Sequence, residues 1–341
     1  MALPTLPIDA PAIIDIYWRL NYPERERFAA SFAERINACA TENGVDYAAM
    51  LAGGGEREGA TIADNGYARL GVAFESGKLR DIHDHFASRP VFNGHVAAKS
   101  DGVPHTVDEL AGRSPFACYR QDDVVTAPYL LEFANDPRIL AIAARSLGCV
   151  PTLYSMNAWW SYPTAGGAAP YTQTFHRDSD DFRNCVLFVF LTDVGDNDGA
   201  HEYIRGTQSV EAITRHMGGP GPYFVDLAHE GTRRRYRVEL KDLFDTTGYC
   251  GDHIYAELFP SLIETIGGPA GSAFMTETRG LHRARIPRLR RRLILWIRYG
   301  MYRNNAYIGD RLSPAKGPGL MRRIGDTPAA RFINRLIVDD D

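Results

Sequence analysis

Phe175-His176-Arg177-Asp178 stands shortly before a strongly apolar run, Asn184-Cys185-Val186-Leu187-Phe188-Val189-Phe190-Leu191. A short apolar run rich in β-branched and aromatic residues predicts a buried β-strand. If the preceding pair is extended as well, residues i and i+2 point to the same face. His176 and Asp178 then present an imidazole and a carboxylate together. Three-residue patterns arise often by chance, so the pair needs support from elsewhere in the chain.

His282 gives that support. It lies 106 residues after His176 and shortly before a second run typical of a strand, Arg292-Leu293-Ile294-Leu295-Trp296-Ile297-Arg298-Tyr299. Two imidazoles and one carboxylate that leave other coordination positions open suit non-haem iron(II) and oxygen chemistry. We therefore predict that His176, Asp178 and His282 are metal ligands. A histidine satisfied at a turn stays open as the alternative for His282.

The His176-x-Asp178 pair, the distal His282 and an arginine ten residues beyond it resemble the phytanoyl-CoA dioxygenase-like family of iron(II)/2-oxoglutarate oxygenases. The sequence Asn65-Gly66-Tyr67 followed by a strand is similar to the start of the family's catalytic domain, so the resemblance covers about residues 65–305. It implies a mainly β fold with flanking helices around a double-stranded β-helix (jelly-roll, cupin-like) core. It also implies Fe(II), 2-oxoglutarate and O2 as cofactors and the oxidation of a substrate C–H bond. Because Asp178 is present, the resemblance favours hydroxylation over halogenation.

The same resemblance assigns the far carboxylate of 2-oxoglutarate to an arginine. A planar guanidinium can hold a carboxylate through two parallel hydrogen bonds. We predict Arg292, which lies seven residues before Tyr299 as in the family's strand. Arg290 is the runner-up, because it shares the face of Arg292 if the strand begins early. Arg288 and Arg291 are explained as a basic edge to the strand.

Three further residues are candidates for the pocket. Gln173 is a candidate cosubstrate-binding residue, and Trp159 and Trp160 are weaker candidates for contacts with the substrate. Core packing is an equally good explanation of the two tryptophans, because aromatic side chains dominate ordinary cores too. His201-Glu202 is a poor metal candidate, because no second histidine follows it at helical spacing.

Two other functional classes remain open. A cupin-like isomerase or hydrolase would keep the metal ligands without needing 2-oxoglutarate, and a non-catalytic jelly-roll protein would keep only the fold. Nothing in the sequence resembles a cradle for the phosphates of coenzyme A, so the family's name does not indicate the substrate. The expected substrate is a small-molecule metabolite or a natural-product intermediate.

The predicted organisation has three parts: an N-terminal helical extension (1–64), an oxygenase domain (65–305) with an insertion at about 210–268, and a C-terminal tail (306–341). Helices are expected at 9–41 with Asp9 as N-cap, at 78–87, at 136–145 ending at Gly148, and at 252–266. Strands are expected at 67–73, 152–161 and 273–276, in addition to the two runs quoted above.

Bulk properties exclude some classes of function. The chain has 341 residues, a net charge of −4 and a pI near 6.2, which argues against nucleic-acid or membrane binding. Five scattered cysteines without a Cys-x-x-Cys pair are typical of a reducing compartment rather than a disulfide framework or a zinc site. No signal peptide or membrane span is visible, so the cytoplasm is the expected location. The sequence leaves the oligomeric state open.

Overall fold

The computed structural model describes residues 16–163, 171–229, 232–239, 244, 257–301, 311–313, 317 and 319–339. Its helices are α1 (Tyr22–Glu42), α2 (Tyr47–Leu51), α3 (Glu56–Asn65), α4 (Ser76–Ala87), α5 (Val107–Leu110), α6 (Gln121–Thr126), α7 (Leu130–Ala134), α8 (Pro137–Leu147), α9 (Val210–Met217), α10 (Leu320–Arg323) and α11 (Pro328–Asn334). Its strands are β1 (Tyr67–Val72), β2 (Phe92–Asn93), β3 (Phe116–Cys118), β4 (Thr152–Ser161), β5 (Asn184–Phe190), β6 (His201–Ile204), β7 (Tyr223–His229), β8 (Thr232–Val238), β9 (Ile263–Ile266), β10 (Ser272–Thr276), β11 (His282–Ala284) and β12 (Arg292–Gly300).

Two sheets form the core of the molecule. A seven-stranded sheet has the order β1-β10-β5-β12-β4-β3-β2, and a three-stranded sheet has the order β11-β6-β9. The chain passes from β4 and β5 in the larger sheet to β6 and β9 in the smaller one, and then through β10, β11 and β12 it changes sheet at each step. An isolated bridge joins His176 to His282 at the free side of β11. This order, with every neighbouring pair antiparallel, is that of a double-stranded β-helix. The predicted fold class is confirmed.

The central strand β5 explains why its sequence is continuously apolar. All seven of its residues are buried. Cys185, Leu187 and Val189 belong to the core cluster beneath the helices, whereas Val186 and Phe188 belong to the cluster between the sheets. Because alternate residues of a strand face opposite sides, a strand covered on both faces needs apolar side chains at every position.

The same alternation in β12 prepares the functional site. Leu293 and Leu295 pack into the cluster beneath the helices, and Ile294 and Trp296 pack into the cluster between the sheets. Arg292 is two residues before Ile294 and therefore faces the space between the sheets as well. The alternation along β12 thus places the guanidinium of Arg292 in the interior of the barrel.

Helix α8 illustrates where local signals are sufficient. Asp136 accepts hydrogen bonds from the backbone N–H groups of Arg138 and Ile139, and Pro137 occupies the first helical position. The helix ends at Gly148, whose φ of 75° is easily adopted only by glycine. The expected start and end of this helix are confirmed.

Two of the expected helices differ from the structure. The helix expected over 9–41 is interrupted, because Asn21 caps α1 through a capping box with Glu24; the expected N-cap Asp9 lies outside the described residues. The helix expected over 252–266 is helical at residues 257–258 but wrong for its last part. Residues 260–262 form one 3-10 turn and 263–266 form β9, which pairs with β6. Tertiary pairing overrides the helical spacing of the apolar residues there.

The segment 210–268 contains α9, the β7–β8 hairpin and β9. Its boundaries as an insertion, like the division of the chain at 64 and 305, stay predictions. None of the helices in the described part of the chain combines the length and the apolar character that crossing a bilayer requires.

Candidate metal centre

His176, Asp178 and His282 meet at one point of the barrel. One ligand atom from each lies within 4.8 Å of the others, and no other group of this kind occurs among the described residues. His176 Nε2 is 3.8 Å from Asp178 Oδ1, and His282 Nε2 is 4.0 Å from Asp178 Oδ2. Both imidazoles are buried. The three side chains predicted as ligands therefore converge as a metal site requires.

Backbone pairing sets this geometry. The N–H of His176 donates to the carbonyl of His282 at 3.0 Å, and the N–H of His282 donates back at 3.1 Å. This reciprocal bridge places the two rings 4.3 Å apart. The N–H of Asp178 donates to Thr278 O at 2.8 Å, which fixes the carboxylate beside them. Residues 176–178 thus do not form a regular strand. The bridge between His176 and His282 instead orients the side chains towards each other, as a strand was expected to do.

The two histidines have the tautomer that metal binding requires, in addition to the right positions. Nδ1 of His176 lies 2.8 Å from Thr174 O, and Nδ1 of His282 lies 2.9 Å from Gly280 O. A carbonyl can only accept, so each Nδ1 carries the hydrogen and each neutral ring keeps the Nε2 lone pair for a metal. Both Nε2 atoms face Asp178.

Electrostatics favour the same state. Burial, followed by the neighbouring His176, lowers the pKa of His282 to about 4, so this ring is neutral at physiological pH. Burial works to raise the pKa of Asp178, but His282 and Arg298 outweigh it and hold this pKa below its usual value. Two neutral imidazoles and one ionised carboxylate are the protonation states in which these groups bind metals.

A cavity of about 70 Å³ opens beside the three ligands. Its wall includes all three of them, two arginines and two tryptophans: His176, Asp178, His282, Arg292, Arg298, Trp159 and Trp296. Trp159 and Trp296 pack edge to face with ring centroids 5.3 Å apart. The cavity is therefore partly aromatic, with charged groups at defined positions in its wall.

Arg292 is the most unusual of these groups. It is 1% exposed, and its guanidinium donates to Gly199 O and, at 3.1 Å, to Ser161 Oγ. A guanidinium has five N–H donors, and Nε of Arg292 has no partner among the described residues. No carboxylate in the described part of the chain forms an ion pair with it, and burial lowers its pKa to about 10. A buried cation without an anionic partner is costly, so this position is suited to an anionic ligand.

The neighbouring arginines lie elsewhere. Arg290 forms an ion pair with Asp198 at 2.7 Å, and its side chain is 62% exposed. Arg291 pairs with Asp108 on the surface. Because β12 begins at Arg292, the early strand start that would have turned Arg290 inward does not occur. Arg292 is the member of this group that lines the cavity.

The weaker pocket candidates divide between sites. Trp159 lines the cavity, whereas Trp160 points to the other face of β4 and donates from Nε1 to Tyr119 Oη at 3.0 Å. Trp160 lines a separate open cleft of about 730 Å³ beside α4. Gln173 is buried three residues before His176, and its amide has no partner among the described residues. It is not among the side chains that line the cavity.

Among the cavity residues that were not predicted, three have titratable side chains: Arg298, His201 and His95. Arg298 shares its face of β12 with Arg292, so strand alternation from 292 through 294 and 296 to 298 could have found it. It is 2% exposed, pairs with Asp180 at 2.5 Å and lies 4.0 Å from Asp178 Oδ2. No signal in the sequence places His201 or His95 near the ligands, because their positions depend on which strands and loops meet.

Comparisons with known proteins give structural matches only. No protein-family model matches the chain, and no curated protein matches it. Among similar solved structures are the epimerase SnoN in complex with Fe3+, alpha ketoglutarate and nogalamycin RO (TM-score 0.44, 16% identity, covering 74% of this chain and 84% of that one), the non-haem alpha ketoglutarate-dependent carbocyclase SnoK from nogalamycin biosynthesis (0.43, 13%, 73% and 85%), and EctD from S. alaskensis with 2-oxoglutarate and 5-hydroxyectoine (0.43, 14%, 72% and 76%).

These names fall in the class that the sequence resembles. At TM-scores below 0.5 the likenesses do not identify the residues or the reaction of this chain.

Proposed function

We propose that this protein is an iron(II)/2-oxoglutarate-dependent dioxygenase that hydroxylates, or otherwise oxidises, a C–H bond of a small-molecule metabolite or natural-product intermediate. One observation carries the proposal. A three-residue metal site with two imidazoles and one carboxylate shares a cavity with a buried guanidinium that has no carboxylate partner among the described residues. The two features are the ones that a metal-chelating dicarboxylate would need together.

Each side chain has a defined task in this proposal. His176, Asp178 and His282 would hold the iron through three positions and leave the others open for the cosubstrate and oxygen. Bound iron(II) would supply the activation of O2 that couples the oxidative decarboxylation of 2-oxoglutarate to oxidation of the substrate. The hydrogen bonds of the two Nδ1 atoms to Thr174 O and Gly280 O fix the orientation of the rings.

Arg292 would bind the distal carboxylate of 2-oxoglutarate. Its contacts with Gly199 O and Ser161 Oγ hold the guanidinium in place and leave donors free for an incoming carboxylate. Trp159 and Trp296 form an aromatic wall that limits the access of water and shapes the space for the substrate. Asp178 stays ionised beside Arg298, so its carboxylate is ready to bind the metal without losing a proton first.

The four described cysteines, Cys39, Cys118, Cys149 and Cys185, are buried free thiols, and we infer a cytoplasmic location from this cysteine pattern.

The direct test is iron-dependent formation of succinate. Protein purified without oxygen is loaded with Fe(II), mixed with 2-oxoglutarate and air, and screened against cell extracts fractionated by size and polarity. We expect succinate release that requires iron and is stimulated by a fraction containing the substrate. Metal uptake without 2-oxoglutarate consumption in any fraction would favour a cupin-like enzyme. A protein that binds neither iron nor cobalt would be a binding module with the same fold.

A further inference from the structure

We propose that His201 is a second binding residue for the distal carboxylate of the cosubstrate and acts together with Arg292. This inference rests on the proposed function and extends it to a residue whose sequence context gave no reason to assign it a role.

His201 is a neighbour of both the metal ligands and Arg292, and all of them line the same cavity. Its ring stacks on that of His282, with centroids 5.6 Å apart and planes inclined by 17°. The strand pairing explains this contact, because His201 stands opposite Ala284, two residues from His282 on the same face of β11. In the chain, His201 follows Gly199 by two residues, and the carbonyl of Gly199 accepts from Arg292. A ligand that fills this cavity from the metal to Arg292 therefore comes close to the ring of His201.

The imidazole of His201 has an unused polar atom. The residue is 3% exposed, it lines the cavity, and its Nε2 has no hydrogen-bond partner among the described residues. Two of its ring neighbours, Phe188 and Phe274, are apolar, with centroid separations of 5.1 Å and 5.2 Å. A buried imidazole in such surroundings is unfavourable unless a ligand completes its hydrogen bonding.

The chemistry of the ligand follows from its neighbours. A carboxylate can only accept hydrogen bonds, and both a guanidinium and an imidazole N–H can donate to it. Arg292 alone can hold a carboxylate through one edge of the guanidinium, and a neutral donor beside it adds direction without adding charge. The pair therefore fits the far carboxylate of a 2-oxo dicarboxylic acid and disfavours a 2-oxo acid with an apolar end.

The test compares two ligands that differ only at that end. Titration calorimetry on the cobalt-loaded protein without oxygen measures the dissociation constants of 2-oxoglutarate and of 2-oxopentanoate, which lacks the distal carboxylate. We expect wild type to prefer 2-oxoglutarate, and His201→Phe to reduce this preference by roughly ten- to a hundred-fold, because hydrogen bonds to charged groups have this strength. The affinity for 2-oxopentanoate should be unchanged in His201→Phe.

Two further variants complete the experiment. His201→Gln keeps a donor and should recover part of the preference. His105→Phe makes the same replacement in the separate cleft, away from the cavity at the metal ligands, and should bind both ligands as wild type does. Near-ultraviolet circular dichroism checks that each variant is folded. A phenylalanine at position 201 can pack against the two phenylalanine rings that already contact His201.

The outcomes separate this inference from the proposed function. If wild type binds neither ligand, or does not distinguish them, the proposed function fails. If wild type prefers 2-oxoglutarate and His201→Phe keeps that preference, the role of His201 is overturned and the proposed function stands. If His201→Phe weakens both ligands equally, His201 acts on the metal end or on packing, which also overturns the inference.

Discussion

β12 carries an arginine near each of its ends, Arg292 and Arg298, and both side chains line the same cavity. Their surroundings differ. Arg298 forms a buried ion pair with Asp180 at 2.5 Å and stacks on Trp296. Arg292 contacts a carbonyl and a hydroxyl, and no carboxylate among the described residues neutralises it. Burying a charge is tolerated when it is paired, so the Arg298 end is complete within the protein. The Arg292 end is completed by an anion only when a ligand binds.

The difference teaches how a structural arginine can be told from a ligand-binding one. Both residues are buried and lie on the same face of the strand, so neither property distinguishes them. The distinguishing property is whether the protein supplies the counter-charge. Mutations at the two ends should therefore have different consequences, with stability affected at one end and cosubstrate affinity at the other.

The largest expected effect is at the metal ligands, which share the cavity with both arginines. His176→Ala, Asp178→Ala and His282→Ala should each abolish iron-dependent succinate formation, because each removes one of only three protein ligands. Metal content after anaerobic loading, measured by mass spectrometry, should fall in parallel. Full activity of Asp178→Ala would show that this carboxylate is not a ligand.

Arg298→Leu should have the next largest effect, and it should be an effect on folding. The substitution leaves Asp180 buried without its cation, and breaking a buried ion pair in this way costs about 3–5 kcal/mol. Urea unfolding followed by fluorescence measures this loss. Arg298→Leu combined with Asp180→Asn should recover much of it, because the second change removes the isolated charge.

Arg291→Leu is the matched control for this prediction. Arg291 pairs with Asp108, whose side chain is 85% exposed, and a surface pair of this kind contributes little to stability. Unfolding of Arg291→Leu should therefore resemble that of wild type. A comparable loss in the two variants would mean that burial of the Arg298 pair does not matter.

Arg292→Ala should weaken 2-oxoglutarate with little effect on metal uptake. Hydrogen bonds to charged groups contribute about 1.5–3 kcal/mol each, so the affinity should fall by roughly ten- to over a hundred-fold. Titration of the anaerobic iron complex, followed through its visible charge-transfer band, measures this directly. Arg292→Lys should recover only part of the loss, because an ammonium group cannot reproduce the two-pronged contact.

The assignment of the cosubstrate contact to Arg292 can be tested at its two neighbours in the chain. Arg290→Ala and Arg291→Ala should leave 2-oxoglutarate affinity unchanged, because both side chains pair with acids outside the cavity. A loss of affinity in Arg290→Ala with none in Arg292→Ala would reassign the cosubstrate contact to Arg290. If no arginine of this run matters, the cupin-like alternative takes the place of the proposed function.

The sequence was sufficient for features that depend on local pattern. The apolar runs at β5 and β12 predicted both strands because each has apolar residues on both faces. The two ends of α8 followed from Asp136 and Gly148, which cap the helix through their own side chain and backbone. These signals need no knowledge of distant parts of the chain.

Features that depend on strand pairing could not be found in this way. The His176–His282 bridge joins residues far apart in the chain, and the pairing of β6 with β11 brings His201 to His282. The helix predicted to continue through residues 263–266 was wrong, because pairing with β6 decides the conformation of β9. Trp159 and Trp160 could have been separated, since neighbouring residues of one strand must face opposite sides.

The smallest expected effect concerns Asp181, beside the Arg298 end of β12. Its carboxylate is buried and accepts from the backbone N–H groups of Phe182 at 2.7 Å and Met301 at 2.8 Å. Burial raises its pKa from 3.8 to about 7. An acid with a raised pKa binds its proton more tightly in the folded state. Its contribution to stability is therefore fully present below pH 3.8 and is lost as the pH rises towards 7.

Asp181→Asn removes this titration and keeps the shape of the side chain. The variant should be less stable than wild type at pH 5, because the amide offers one acceptor to two N–H groups. By pH 8 the difference should shift in favour of the variant by at least about 1.4 kcal/mol, the equivalent of one pKa unit. Urea unfolding of both proteins in EDTA between pH 5 and 8 measures this shift, and the chelator excludes effects of metal binding. A difference that stays constant across this range would show that Asp181 does not titrate there, and that the charge at this end of β12 is set by Arg298 and Asp180 without it.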